Sequence, residues 1–191
     1  MKLYFYYGVR GSSKTANALM KKFNLEEHGK KVLMIKPSID DRDGKSENGK
    51  TIVKSRVGIS CEAIAIRMDE SIQEAIKRSL IKPDCIIVDE AQFLTKKQVD
   101  DLRDIVNENL FVICYGLRTD FQSNLFEGSK RLLEVADSVR EIETFCNCGN
   151  KAIINARYKD ENIIYDGDKI EIGGNDKYVS LCYRCWKDGK L

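Results

Sequence analysis

The run LYFYY at residues 3–7 opens directly into GVRGSSKT at residues 8–15, and no other junction limits the fold of this chain as strongly. Gly8, Lys14 and Thr15 have the spacing of a phosphate-binding loop, G-x-x-x-x-G-K-[ST], with Ser13 in the place of the second glycine. Such a loop must leave a parallel strand and enter a helix, because an anion is held there by exposed N–H groups and the positive helix end. The apolar run in front, and Ala18, Leu19 and Phe23 at helical spacing behind, meet that requirement. Gly8, Val9, Arg10, Gly11, Ser12 and Ser13 would then wrap the phosphates of a nucleotide. Lys14 would neutralise the β- and γ-phosphates, and the Thr15 hydroxyl would be a ligand of magnesium. On the loop alone, a polar turn with a solvated Lys14 stays open as the plainer reading.

Short apolar runs alternate with helix-like segments up to about residue 140, the pattern of an α/β domain with a parallel sheet and crossover helices. Strands are expected at VLMI (32–35), CIIV (85–88) and LFVICY (110–115). Helices are expected over 15–28, with Gly29 as its stop, and behind two capping boxes, Ser71 with Glu74 and Thr95 with Gln98. Pro83 is expected to end the helix that follows Ser71, and Leu132, Leu133 and Val135 fit one more. His28, the only histidine, reads as a solvated cap. The polar stretch 41–58 reads as a mobile loop. Beyond residue 143 helical periodicity stops and glycine-punctuated segments such as AIINARY, KIEIGG and YVSLC suggest strands. Two units are therefore expected, a nucleotide-binding domain over 1–143 and a small β-rich one over 144–191.

CIIVDEAQF supplies a partner for the phosphate loop, since an apolar strand ending in Asp89 and Glu90 delivers two acids to the carboxyl end of the sheet, where α/β proteins bind ligands. Asp89 could hold the metal, and Glu90 could take the proton from an attacking hydroxyl.

Of the cysteines, Cys61, Cys85 and Cys114 are scattered, whereas Cys146-x-Cys148 and Cys182-x-x-Cys185 form two close pairs. Four thiolates close a tetrahedral structural zinc site and leave no position open for catalysis. A β-rich unit this small has little core of its own, so a zinc ion would supply stability it lacks. Free thiols or a redox pair are the alternative.

The net charge of +2 gives no overall bias toward nucleic acid or acidic membranes, and the cysteine unit has no basic cluster with interleaved aromatics. No apolar stretch approaches the roughly 20 residues of a membrane span, and the start lacks an export signal, so a cytoplasmic protein is expected.

With these motifs in order, the chain resembles the type II thymidine kinases, a cytosolic family with a phosphate loop and a zinc-bearing lasso domain. YFYYG, IDDR (39–42), SRVGIS (55–60), VDEAQFL (88–94), CYGLRTDFQSNLF (114–126), CNCG (146–149) and IGGNDKYVSLCYRC (172–185) carry the resemblance. It implies transfer of the γ-phosphoryl group of ATP to the 5′-hydroxyl of thymidine or deoxyuridine. Glu90 falls at the catalytic base, and Lys14, Thr15, Asp89 and Gln92 at ATP and magnesium positions. Asp40 falls at a further acid of the magnesium shell, and Arg42 at an arginine facing the transferred phosphate. Leu117, Phe121 and Phe126 match the nucleoside pocket, and Tyr178 matches the lasso tyrosine that closes over thymidine. The resemblance also implies a homotetramer or dimer and inhibition by thymidine triphosphate.

The chain departs from the family at two places in its loop, where Arg10 replaces a methionine of the nucleoside pocket and Ser13 replaces a glycine. A positive φ at Ser13 would cost about 1–2 kcal/mol, roughly ten-fold in ATP affinity. Arg10 must find water, an acid or an anion. It either turns to the phosphates, reshapes the pocket for another nucleoside or a nucleotide, or marks a binding protein without catalysis.

Overall fold

The computed structural model describes residues 2–44, 50–107, 110–167 and 178–191. A seven-stranded sheet is built from β1 (Leu3–Tyr7), β2 (Val32–Pro37), β3 (Thr51–Lys54), β4 (Ser60–Ile66), β5 (Cys85–Val88), β6 (Phe111–Gly116) and β7 (Ser138–Glu141). Their spatial order is β3-β4-β2-β5-β6-β1-β7, and every pairing is parallel except the β3–β4 hairpin. The runs CIIV and VLMIKP are buried throughout, as central strands covered on both faces must be.

Helices cover the sheet on both sides. α1 (Lys14–Glu27) packs Ala18 and Leu19 against Val32, Met34, Ile87 and Ile113. On the opposite face, α2 (Ile72–Ser79), α3 (Lys96–Asn107) and α4 (Glu127–Val135) bury Ile72, Val99, Leu102 and Leu132 against Phe5, Ile35, Ile86 and Val112. The Ser71–Glu74 capping box forms in both directions, and Gln98 and Thr95 exchange the equivalent pair of bonds at 3.1 and 3.2 Å. Gly29 at φ 73° closes α1 by donating to Glu26, beside an exposed His28.

Three expectations are corrected. Part of the 41–58 stretch is strand β3, because Ile52 and Val53 alternate toward the sheet and pair with Glu62 and Cys61, while residues 45–49 lie outside those described. α2 ends three residues before Pro83, at Leu80, which adopts a left-handed conformation (φ 58°). Helix also returns near the end of the chain, as α5 (Tyr183–Lys187).

A second sheet of three antiparallel strands has the order β10-β8-β9, from β8 (Ile154–Lys159), β9 (Asn162–Ile164) and β10 (Tyr178–Leu181). The KIEIGG segment lies outside the described residues. The core of this sheet joins Ala152, Ile154, Ala156 and Leu181 to Cys146 and Cys182, and Val9 of the phosphate loop is packed into it. No helix among the described residues is long and apolar enough to cross a membrane.

Candidate active site

The loop from Gly8 to Ser13 connects β1 to α1, and its geometry follows from a few side chains. A β-carbon on Gly8 would lie 2.4 Å from the Ile142 carbonyl oxygen and from Ser12 Oγ, so only glycine fits. Gly11 and Ser13 both take positive φ, 77° and 58°. Ser13 is the N-cap of α1 without a side-chain capping bond, so its strain of about 1–2 kcal/mol has no local compensation from the hydroxyl. Lys14 curls back over the loop, donating from Nζ to the Val9 carbonyl at 2.8 Å and to Ser12 Oγ at 3.2 Å. Burial, only partly offset by Glu90 and Asp89, lowers its pKa to about 8.

Asp89 and Glu90 follow β5 at the same end of the sheet. The Thr15 hydroxyl donates to Asp89 Oδ2 at 3.0 Å, which joins the two motifs across the sheet. Asp89 is buried, and that burial together with the neighbouring Glu90 charge raises its pKa to about 7. Glu90 has φ 53°, a left-handed conformation rare for a residue with a side chain. Its Oε1 accepts from Arg42 at 2.7 Å and its Oε2 from Gln92 at 2.5 Å. The Gln92 amide oxygen in turn accepts from the Leu117 N–H at 2.9 Å, so Gln92 braces Glu90 against the end of β6.

Asp40 grips Arg42 with both oxygens, at 2.5 Å to Nε and 2.7 Å to Nη2. Burial works against the Asp40 carboxylate, but Arg42 and Lys36 outweigh it and hold its pKa below the ordinary value.

These groups face one cavity of about 600 Å³. Of the residues expected at the site, Arg10, Gly11, Ser13, Lys14, Thr15, Asp40, Arg42, Asp89, Glu90 and Gln92 line it, together with Leu117, Phe121, Phe126 and Tyr178. Gly8, Val9 and Ser12 stand behind that wall and shape the loop. The volume falls within the range of small-molecule sites. The segment carrying the aromatics is folded by Asp120, whose Oδ1 accepts from Gln122 N–H at 3.0 Å and Asn124 N–H at 2.9 Å. Phe126 packs edge-on against Phe93.

Arg10 turns toward the second sheet. Its guanidinium carbon lies 4.3 Å from the centre of the Tyr178 ring, a cation–π arrangement. Its backbone N–H donates to Asn155 Oδ1 at 2.7 Å, and its carbonyl accepts from Ser180 Oγ at 2.5 Å. Burial, then the positive charge of Arg42, lowers its pKa. Asn155, Thr119, Arg56 and Val57 also line the cavity and were not singled out from the sequence. Arg56 and Val57 lie inside the SRVGIS motif and Thr119 inside CYGLRTDFQSNLF, whereas Asn155 lies in neither.

The sulfurs of Cys146, Cys148, Cys182 and Cys185 all lie within 4.8 Å of one another, with Cys148 and Cys182 at 3.6 Å. Tetrahedral zinc with Zn–S bonds near 2.3 Å sets its sulfurs about 3.8 Å apart, so this donor set fits the ion. A turn closed by Gly149 N–H to the Cys146 carbonyl, and the start of α5 at Cys182, hold the two pairs.

A sequence profile described as "Thymidine kinase" matches residues 1–186. A thymidine kinase of Mannheimia succiniciproducens is 44% identical over 196 residues, covering 100% of this chain and 98% of the relative. Others from Zymomonas mobilis (44%, covering 96% and 94%) and Haemophilus influenzae (43%, covering 98% and 96%) are similar along nearly their whole lengths.

Proposed function

This chain belongs to the thymidine kinase family, and on that premise we propose that it transfers the γ-phosphoryl group of ATP to the 5′-hydroxyl of thymidine. The observation that carries the reading is the meeting of two remote motifs, with Thr15 of the phosphate loop bonded to Asp89 and Glu90 beside it on the same cavity.

Lys14 has to exchange its contacts with Val9 and Ser12 for the β- and γ-phosphates, a small movement of a flexible stem. Glu90 is the base: each carboxylate oxygen uses one lone pair on Arg42 or Gln92 and keeps another for the substrate proton. Arg42, fixed by Asp40, faces the group in transfer and offsets its charge. The nucleoside base lies among Leu117, Phe121, Phe126 and Tyr178.

The donors suit magnesium, because Thr15 and Asp89 place hard oxygens together and a second carboxylate, Glu90, stands beside the buried Asp89. Thr15 and Asp89 would hold the ion, with Asp40 in its outer shell. Bound there, magnesium would draw charge from the phosphate oxygens. The four cysteines would hold a structural zinc in a lasso domain over 144–191, beside a nucleotide-binding domain over 1–143. Family membership further supports a cytoplasmic homotetramer or dimer inhibited by thymidine triphosphate.

Incubation of the purified protein with γ-labelled ATP, magnesium and a panel of nucleosides tests the reading. Labelled thymidine monophosphate is expected. Absence of transfer to any nucleoside, with ATP still bound, would favour a binding protein without catalysis, and transfer to another nucleoside alone would assign Arg10 to altered specificity.

A further inference from the structure

Lys36 is a lysine in the interior. It lies on β2 with 1% exposure, among the largest fully buried side chains of the molecule. Its Nζ is 2.7 Å from Asp43 Oδ2, 3.2 Å from Asp40 Oδ2 and 3.4 Å from the Ile52 carbonyl oxygen. An ammonium in such a place is retained only if it is paired, and an apolar side chain of similar volume would fill the strand position at lower cost.

Its pairs lead to the reacting centre. Asp40, 3% exposed, holds Nε and Nη2 of Arg42, and the same Nη2 donates to Glu90 Oε1. Asp43 also accepts from the Lys54 N–H at 3.3 Å, where β3 ends and its turn runs on to the cavity wall. Three carboxylates therefore surround two cations. Without Lys36, Asp40 and Asp43 would draw on the guanidinium of Arg42, at the expense of Glu90.

We infer that Lys36 is a positioning residue for phosphoryl transfer, which through Asp40 sets where Arg42 stands against Glu90. The inference rests on the reading of Glu90 as base and Arg42 as the arginine of the transferred phosphate. Lys36 acts through Arg42, so its contribution to rate exists only while Arg42 is present.

A double-mutant cycle tests this. Lys36→Met should lower kcat by ~30- to 100-fold, the scale on which small misplacements of reacting groups act, while KM for ATP and thymidine stays within ~3-fold. In an Arg42→Ala background the same substitution should lower kcat by less than ~3-fold. Lys36→Gln, which keeps a donor and loses the charge, stands in if Lys36→Met does not fold. An equal factor in both backgrounds, or a rise in KM with kcat unchanged, would overturn the inference. If Arg42→Ala and Glu90→Ala both turn over as the unmutated protein does, the functional reading fails and the inference with it. If those two are impaired and only the coupling is missing, Lys36 alone is misassigned.

Discussion

Arg42 donates to Glu90 Oε1 across 2.7 Å, and the two residues reach that contact from different strands, one after β2 and one at the end of β5. Each is held from behind, Arg42 by both oxygens of Asp40 and Glu90 by the amide of Gln92. Glu90 also pays for its place with a left-handed backbone at φ 53°. A strained acid gripped on both oxygens beside a phosphate loop is built for fixed geometry rather than for solvation.

The strain at Ser13 can be released directly. At φ 58° a glycine loses nothing to its side chain, and this strain is already present without a nucleotide, so Ser13→Gly should stabilise the unliganded fold by about 1 kcal/mol and leave ATP affinity within ~3-fold. Denaturant unfolding reads the first, and calorimetric titration with a non-hydrolysable ATP analogue the second. A ten-fold tighter dissociation constant would mean that the strain at Ser13 grows when the nucleotide binds.

Arg10 covers a face of the Tyr178 ring, the face on which the proposed reading stacks a nucleoside base. Arg10→Met should lower the thymidine KM by about ten-fold, within the range of a partly desolvated cation–π contact. The ATP KM should move much less. An unchanged thymidine KM would place the base away from Tyr178.

The cysteine cluster and the phosphate loop share a core through Val9, and Arg10 is bonded to both Asn155 and Ser180. Metal analysis should find one zinc per chain, and Cys182→Ser should lose it. The same variant should weaken ATP binding by about ten-fold, because the strands that brace the loop loosen with the metal. Metal loss without any change in ATP affinity would separate the two sites.

Local signals in the sequence carried far. Lys14, Thr15, Asp89 and the cysteine pairs could be read because their chemistry needs close spacing, and the capping boxes because helix ends are satisfied within four residues. The β3 segment reads as loop because Ile52, Val53 and Val57 alone interrupt a polar stretch, and a strand of that kind is stabilised by its partner β4. Leu80 ends α2 through a left-handed turn that its residue type does not announce. Lys36 and Asn155 carry no such signal, since a buried lysine in VLMIKP reads as a strand end and Asn155 contacts Arg10 across 145 residues of chain; Ser180 lies inside the IGGNDKYVSLCYRC motif, but its bond to Arg10 spans 170 residues.

On the proposed reading Glu90 does the chemistry at a site whose binding groups lie elsewhere. Turnover with thymidine and ATP, compared between the unmutated protein and Glu90→Ala, tests it most directly when the dissociation constants of both substrates are measured on the same preparations. In Glu90→Ala kcat should fall by about 10²- to 10⁴-fold, the contribution of a general base, with both constants within ~3-fold. Equal turnover by the two proteins would contradict it.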